Sequence, residues 1–129
     1  MSKYSPSLRD RLLATFHRRG WRGFHPLYRF AGKPSIFIRT IYGSIMGLHP
    51  IDYIDGIVLR EGYYESEVFE ALLPYLRKGA VFWDIGANFG LHSLTAKHCA
   101  PDLIVHAFEP NITIFQRITA NIAANDIVI

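Results

Sequence analysis

A single cysteine, Cys99, stands in 129 residues, so no internal disulfide can form and the fold does not depend on an oxidising compartment. Its place in an apolar helical stretch reads as a small core residue. No apolar run reaches the roughly 20 residues that a membrane span needs. Arg39 interrupts the best candidate, Ile36 to Leu48. The N-terminus lacks the apolar core of a secretory signal. The expected location is the cytoplasm, either free or peripheral to a membrane. Acidic residues are scarce as well, but only at the front of the chain. Residues 1–50 hold nine Lys/Arg against the single acid Asp10, while residues 51–129 hold five against ten. The overall charge of +3 therefore conceals a basic front and an acidic remainder. A basic stretch of this kind suits an anionic partner or surface, or is simply a solvated face.

Half the residues are apolar, enough for one globular core. Ser7 to Arg19 has the spacing of an amphipathic helix, with Leu8, Leu12, Leu13 and Phe16 on one face. Trp21, Arg22, Phe24, Tyr28, Arg29 and Phe30 then interleave aromatic and basic side chains. Residues 1–50 are read as a basic N-terminal arm, which could fold over the following domain or lie on an anionic membrane surface. Stacking on nucleic acid is the least favoured use. Ser35 to Ile45 reads as one or two short strands, and Asp52 to Leu59 as a turn leading into a strand. His49, in a turn beside Pro50, is read as structural. A helix is expected from Ser66, with Val68, Phe69, Leu72, Leu73 and Leu76 inward and a kink at Pro74.

The most informative stretch is Val81-Phe82-Trp83-Asp84-Ile85-Gly86-Ala87-Asn88-Phe89-Gly90, a buried-strand pattern running into a glycine-bracketed turn and then a helix from Leu91 to about Cys99. Leu103 to Phe108 is a second strand ending at Glu109. Asn111 can cap a helix through Asn125, with Phe115, Ile118 and Ile122 inward. Asp126 to Ile129 looks like the start of a third strand, so the sequence reads as the front part of a longer domain. Strand–helix–strand order predicts a parallel sheet with flanking helices, and such sheets bind nucleotide-like ligands at strand carboxyl ends. A carboxylate at Glu109 is placed for a ribose diol. The dinucleotide fingerprint Gly-x-Gly-x-x-Gly is absent, because Asn88 stands where the second glycine would admit a pyrophosphate. Asp84 at the strand end suits an ammonium group better than a diphosphate. S-adenosylmethionine has both an ammonium and a ribose.

Asp84-Ile85-Gly86-Ala87-Asn88-Phe89-Gly90 resembles the first motif of the FkbM family of S-adenosylmethionine-dependent methyltransferases. Gly62-Tyr63-Tyr64-Glu65 upstream and Ala107-Phe108-Glu109-Pro110-Asn111 downstream resemble that family too, so the likeness spans about residues 52–129. It implies an α/β fold, an incomplete Rossmann-like class I methyltransferase sheet preceded by the basic arm, with residues 51–129 as the N-terminal part of the methyltransferase domain. It also implies O-methylation of a sugar or small hydroxylated metabolite. Asp84, Gly86, Ala87, Asn88, Gly90 and Glu109 are the implied cofactor contacts, and no metal site is assigned. The family's later acidic motif is missing, so the chain as given is expected to be inactive alone. An alcohol acceptor needs a base within hydrogen-bond reach. His92 is the best placed residue for that role, although packing or cofactor contact is the favoured reading for it. Glu65 could close over the methionine end of the cofactor or simply favour a helix N-terminus. His98 and His106 read as packing residues. The rival readings are an NAD(P)-binding oxidoreductase fragment and a non-enzymatic basic module for membrane or nucleic acid.

Overall fold

A computed structural model describes residues 5–20 and 22–129. They fall into two compact units, Ser5–Ile41 with Ile45–Tyr64, and Tyr42–Ser44 with Glu65–Ile129. Trp21 lies outside the described residues.

The first unit contains helix α1 (Leu8–Arg18), helix α2 (Phe24–Phe30), strands β1 (Ile36–Arg39) and β2 (Ile45–Leu48), and helix α3 (Tyr53–Glu61). Ser7 opens α1 with a reciprocal capping box. Its Oγ accepts from the Asp10 amide, while the Asp10 carboxylate accepts from the Ser7 amide and from Oγ at 2.6 Å. Burial pushes the Asp10 carboxyl up, but the hydrogen bonds from Ser7 and Arg9 outweigh it and hold the pKa below the usual carboxylate value.

The helix turns the face opposite to the expected one inward. Asp10, Ala14 and His17 are buried, whereas Leu8 is 74% exposed and Leu12 and Phe16 are also largely in solvent. Each exposed Leu forgoes roughly 1.5–3 kcal/mol that burial would return. The buried Asp10 carboxylate also accepts a hydrogen bond from the Phe37 backbone of β1, which holds this face inward and leaves Leu8 and Leu12 on the other.

β1 and β2 pair antiparallel, Ile36 opposite Leu48 and Arg39 opposite Ile45, with all of β2 buried. Asp52 to Leu59 is not a turn and strand. It is α3, ended by Gly62 in the left-handed conformation at φ 87°. Asp55 and Gly56 read as turn residues because that pair commonly turns, but here the buried Asp55 carboxylate accepts the His49 amide at 2.6 Å and Gly56 lies inside the helix. His49 also shares a 3.0 Å hydrogen bond with Ser35, in keeping with a structural role.

The second unit holds helix α4 (Ser66–Leu72), strand β3 (Val81–Ile85), helix α5 (Leu91–Cys99), strand β4 (Ile104–Phe108) and helix α6 (Ile112–Asn125). α4 gives way to a 3-10 turn over Leu73–Tyr75, the break that Pro74 predicts. Only Phe69 of its expected apolar face is buried. β3 and β4 form a parallel pair in register, Val81 opposite Ile104 and Ile85 opposite Phe108. α5 packs against both strands, on the face that carries Phe82, Asp84, Val105 and Ala107. The other face bears Val81, Trp83, Ile85, Ile104 and Phe108 in solvent, so the β3 run is half-exposed rather than buried, with Trp83 62% exposed. Trp83 leans on Phe108 and meets the edge of His106. Cys99 is exposed, at the last turn of α5, and is not a core residue. On α6 the inward residues are Ile118, Asn121 and Asn125, while Phe115 is exposed. Asp126–Ile129 form no strand; Asp126 turns left-handed and ends α6.

His17 supplies a pH dependence. Burial lowers its pKa below the ordinary histidine value, Arg60 and His25 lower it further, and the Gly56 backbone works in the opposite direction. The unfolded chain takes up a proton near pH 6.5 that the folded ring resists, so stability is full above that pH and falls as pH drops through it. Urea midpoints measured between pH 7.5 and pH 5.5 should fall, and His17→Gln should flatten that fall.

Candidate functional site

The glycine loop that follows β3 is built from its own backbone. The Gly86 and Ala87 amides both donate to the Phe108 carbonyl, at 2.9 and 3.0 Å, which ties the loop to the end of β4. Gly86, Asn88 and Gly90 all have positive φ, at 83°, 51° and 86°. Asn88 occupies a left-handed conformation that Asn tolerates better than most residues. The loop therefore turns as a glycine loop does while keeping a side chain in the middle.

The two glycines serve different ends. A Cβ on Gly90 would lie 2.4 Å from Leu94 Cδ1, with Ile118 close behind. A Cβ on Gly86 would meet nothing within 4 Å, so the Gly86 backbone is open to a ligand.

Asp84 and Glu109 each hold a helix or loop end while remaining available. Asp84 Oδ2 accepts from the Ser93 amide at 3.1 Å and the Ser93 hydroxyl at 2.6 Å. Gly90 is the N-cap of α5 and has no side chain to cap it, so Asp84 supplies the acceptor from β3. Both contacts fall on Oδ2. Glu109 Oε2 accepts from the Asn88 amide at 3.0 Å and Oε1 from the Asn111 amide at 2.8 Å. An ionised carboxylate offers about four lone-pair sites, so a bridging Glu109 can still accept from a diol. Asn111 caps α6 as expected, accepting from Thr113 and Ile114. The structure thus gathers Asp84, Gly86, Ala87, Asn88, Gly90 and Glu109 at the carboxyl ends of two parallel strands.

His92 and Glu65 also meet. Glu65 Oε2 lies 3.7 Å from His92 Nε2, and the His92 ring stacks on Phe69 at 6.1 Å between centroids. Glu65 precedes α4 in the left-handed conformation, at φ 55°. Tyr42 packs on the other part of the same aromatic group, 4.8 Å from Phe69, and donates to Glu70 at 3.3 Å. Its phenol is raised above the ordinary value by burial and by Glu70. His98 packs against Gly43.

Three supports went unread in the sequence. Ser93 is fully buried beneath Asp84. Asn121 is buried and donates to the Phe89 carbonyl at 2.9 Å, while the Arg117 guanidinium lies 4.9 Å over the Phe89 ring. α6 therefore clamps the middle of the loop. A glycine N-cap is the available signal for Ser93, since it demands an external acceptor; a polar residue on the inward stripe of α6 is the signal for Asn121.

Over 57 residues the chain is 39% identical to the hexuronic acid methyltransferase AglP of Haloferax volcanii. That stretch is 44% of this chain and 23% of the relative, so the chain spans less than a quarter of the relative's length. No family model matches the chain, and no solved structure matches it. Among the described residues no helix is long and apolar enough to cross a membrane.

Two substitutions test the scaffold. Gly90→Ala forces the methyl onto Leu94 and strains a left-handed backbone, and should cost about 2–3 kcal/mol. Asn121→Leu leaves the Phe89 carbonyl unsatisfied and should cost about 1–3 kcal/mol. Both are measured by urea denaturation, with values near zero contradicting the clamp.

Proposed function

We propose that residues 65–129 carry the S-adenosylmethionine-binding portion of an FkbM-type methyltransferase whose acceptor is a sugar hydroxyl. The observation that carries this reading is Glu109. Its carboxylate stands beyond the end of β4, oriented by the Asn88 and Asn111 amides, beside the open backbone of Gly86. A ribose diol is the ligand group that such an oriented acceptor suits. Asp84 adds a carboxylate oxygen with no hydrogen bond to the described residues, which suits the cofactor's ammonium group. The likeness to a hexuronic acid methyltransferase supports a sugar or sugar acid as acceptor.

S-adenosylmethionine supplies the electrophilic methyl group, so the protein's work is binding, orientation and handling of one proton. Glu109 holds the ribose and Gly86 lets the backbone approach it. His92, at the first turn of α5 and paired with Glu65, is the group available to take the acceptor's proton. Glu65 would stabilise the resulting imidazolium.

An NAD(P)-binding reading is disfavoured by Asn88. It adopts the turn of the missing glycine but keeps a Cβ where the pyrophosphate would approach. Calorimetry on the full chain with S-adenosylhomocysteine and with NAD separates the two. Saturable binding of S-adenosylhomocysteine and none of NAD is expected, and Glu109→Ala should weaken binding about tenfold or more, as loss of charge-assisted hydrogen bonds does. Tight NAD binding, or equal affinity in the variant, would overturn the proposal.

A further inference from the structure

The unit formed by Ser5–Ile41 and Ile45–Tyr64 contains a cleft of about 350 Å³ that the cofactor reading does not use. His17, Arg18, Arg22, Phe24, His25 and Arg60 line it. Among the described residues that line it there is no carboxylate. At its edge His17 is 9% exposed, and its Nε2 is buried without a well-formed hydrogen bond, although the Gly56 backbone lies close enough to favour the protonated ring. A buried ring nitrogen left in that state costs free energy, so such groups are normally satisfied. The ring is held firmly, edge-on to Phe24 at 5.4 Å and stacked on His25 at 5.9 Å. Gly56 lies beside it. A Cβ there would stand 3.5 Å from Arg60 Nη1, 3.6 Å from the Pro50 carbonyl oxygen and 3.8 Å from His17 Nε2, so the guanidinium and the ring nitrogen are near neighbours. Arg18 is partly engaged, its Nε donating to the Leu59 carbonyl at 2.6 Å, which fixes its guanidinium at the wall.

Three guanidiniums and a histidine pair, one of whose ring nitrogens is buried without a well-formed hydrogen bond, make an incomplete set whose missing member is an anion. Its size and the forked donors of Arg favour a tetrahedral oxyanion over a halide. We propose that this cleft binds a phosphoryl group, with His17 Nε2–H and Arg60 as the inner donors and Arg22 and Arg18 at the rim. The phosphoryl group belongs either to a soluble phosphate ester or to a lipid headgroup. The outward Leu8, Leu12 and Phe16 on the same unit make the second source worth a separate arm.

The test uses the full chain and follows the His17 ring resonances by NMR. Titration with inorganic phosphate, and separately with a hexose phosphate, is compared with chloride at matched ionic strength. Co-sedimentation with phosphatidylcholine vesicles, with and without phosphatidic acid, forms the second arm. Saturable His17 shifts with phosphate but not chloride are expected, weakened about tenfold in Arg60→Gln and less in Arg22→Gln. Both variants change exposed residues, so loss of fold does not confuse the result. Tighter binding of hexose phosphate than of inorganic phosphate, without vesicle retention, assigns the soluble ester. Retention that depends on phosphatidic acid and is reduced in Arg60→Gln assigns the lipid. His17 shifts that are absent, matched by chloride, or unchanged in Arg60→Gln overturn the proposal. S-adenosylhomocysteine binding is independent of every one of these outcomes.

Discussion

The Glu109 carboxylate joins the Asn88 amide in the glycine loop to the Asn111 amide at the start of α6. Without it, the loop after β3 and the turn after β4 would each present unpaired backbone donors at the same end of the sheet. Charge-assisted hydrogen bonds to backbone amides are among the stronger local interactions available, so this one residue fixes both turns. Asp84 repeats the device one strand away, holding the N-terminus of α5 through Ser93. The residues best placed to meet a ligand are thus also those that shape the place where it would sit.

That double use explains the loop's economy. Gly90 is required by packing against Leu94 and Ile118, whereas Gly86 is free of steric pressure from the protein. The left-handed φ of 83° at Gly86 is the fold's own reason for a glycine there, and its open side leaves that backbone reachable from outside. α6 completes the frame from behind, because Asn121 holds the Phe89 carbonyl and Arg117 covers the Phe89 ring. The buried Ser44 and Thr95 hydroxyls, 2.8 Å apart, pin α5 in the same unit.

Much of this frame was legible in the sequence because its determinants are local. An apolar run, a glycine pair and an acid define β3 and the loop, and Asn111 marks the start of α6. Pro74 breaks α4 where a ring without an N–H must. The illegible features depend on distant partners. The Leu8, Leu12 and Phe16 stripe has the spacing of a core face, yet the face held to β1 by the Asp10 hydrogen bond to the Phe37 backbone is the buried one. Asp55-Gly56 has the chemistry of a turn but sits inside α3, where the His49 amide satisfies the aspartate. Val81, Trp83 and Ile85 read as buried, and the alternation of a strand leaves that face in solvent. Ser93 and Asn121 are ordinary helix residues until the loop beside them is seen. His17, read only as part of a basic stretch, becomes informative through its burial.

A crystal structure of the full chain grown with S-adenosylhomocysteine tests the central claim most directly. The expected result places both ribose hydroxyls within hydrogen-bond distance of the Glu109 carboxylate, with the ligand passing the Gly86 backbone and its ammonium group near Asp84. A ligand bound elsewhere, or a ribose held by other residues while Glu109 keeps only its two backbone partners, would contradict it.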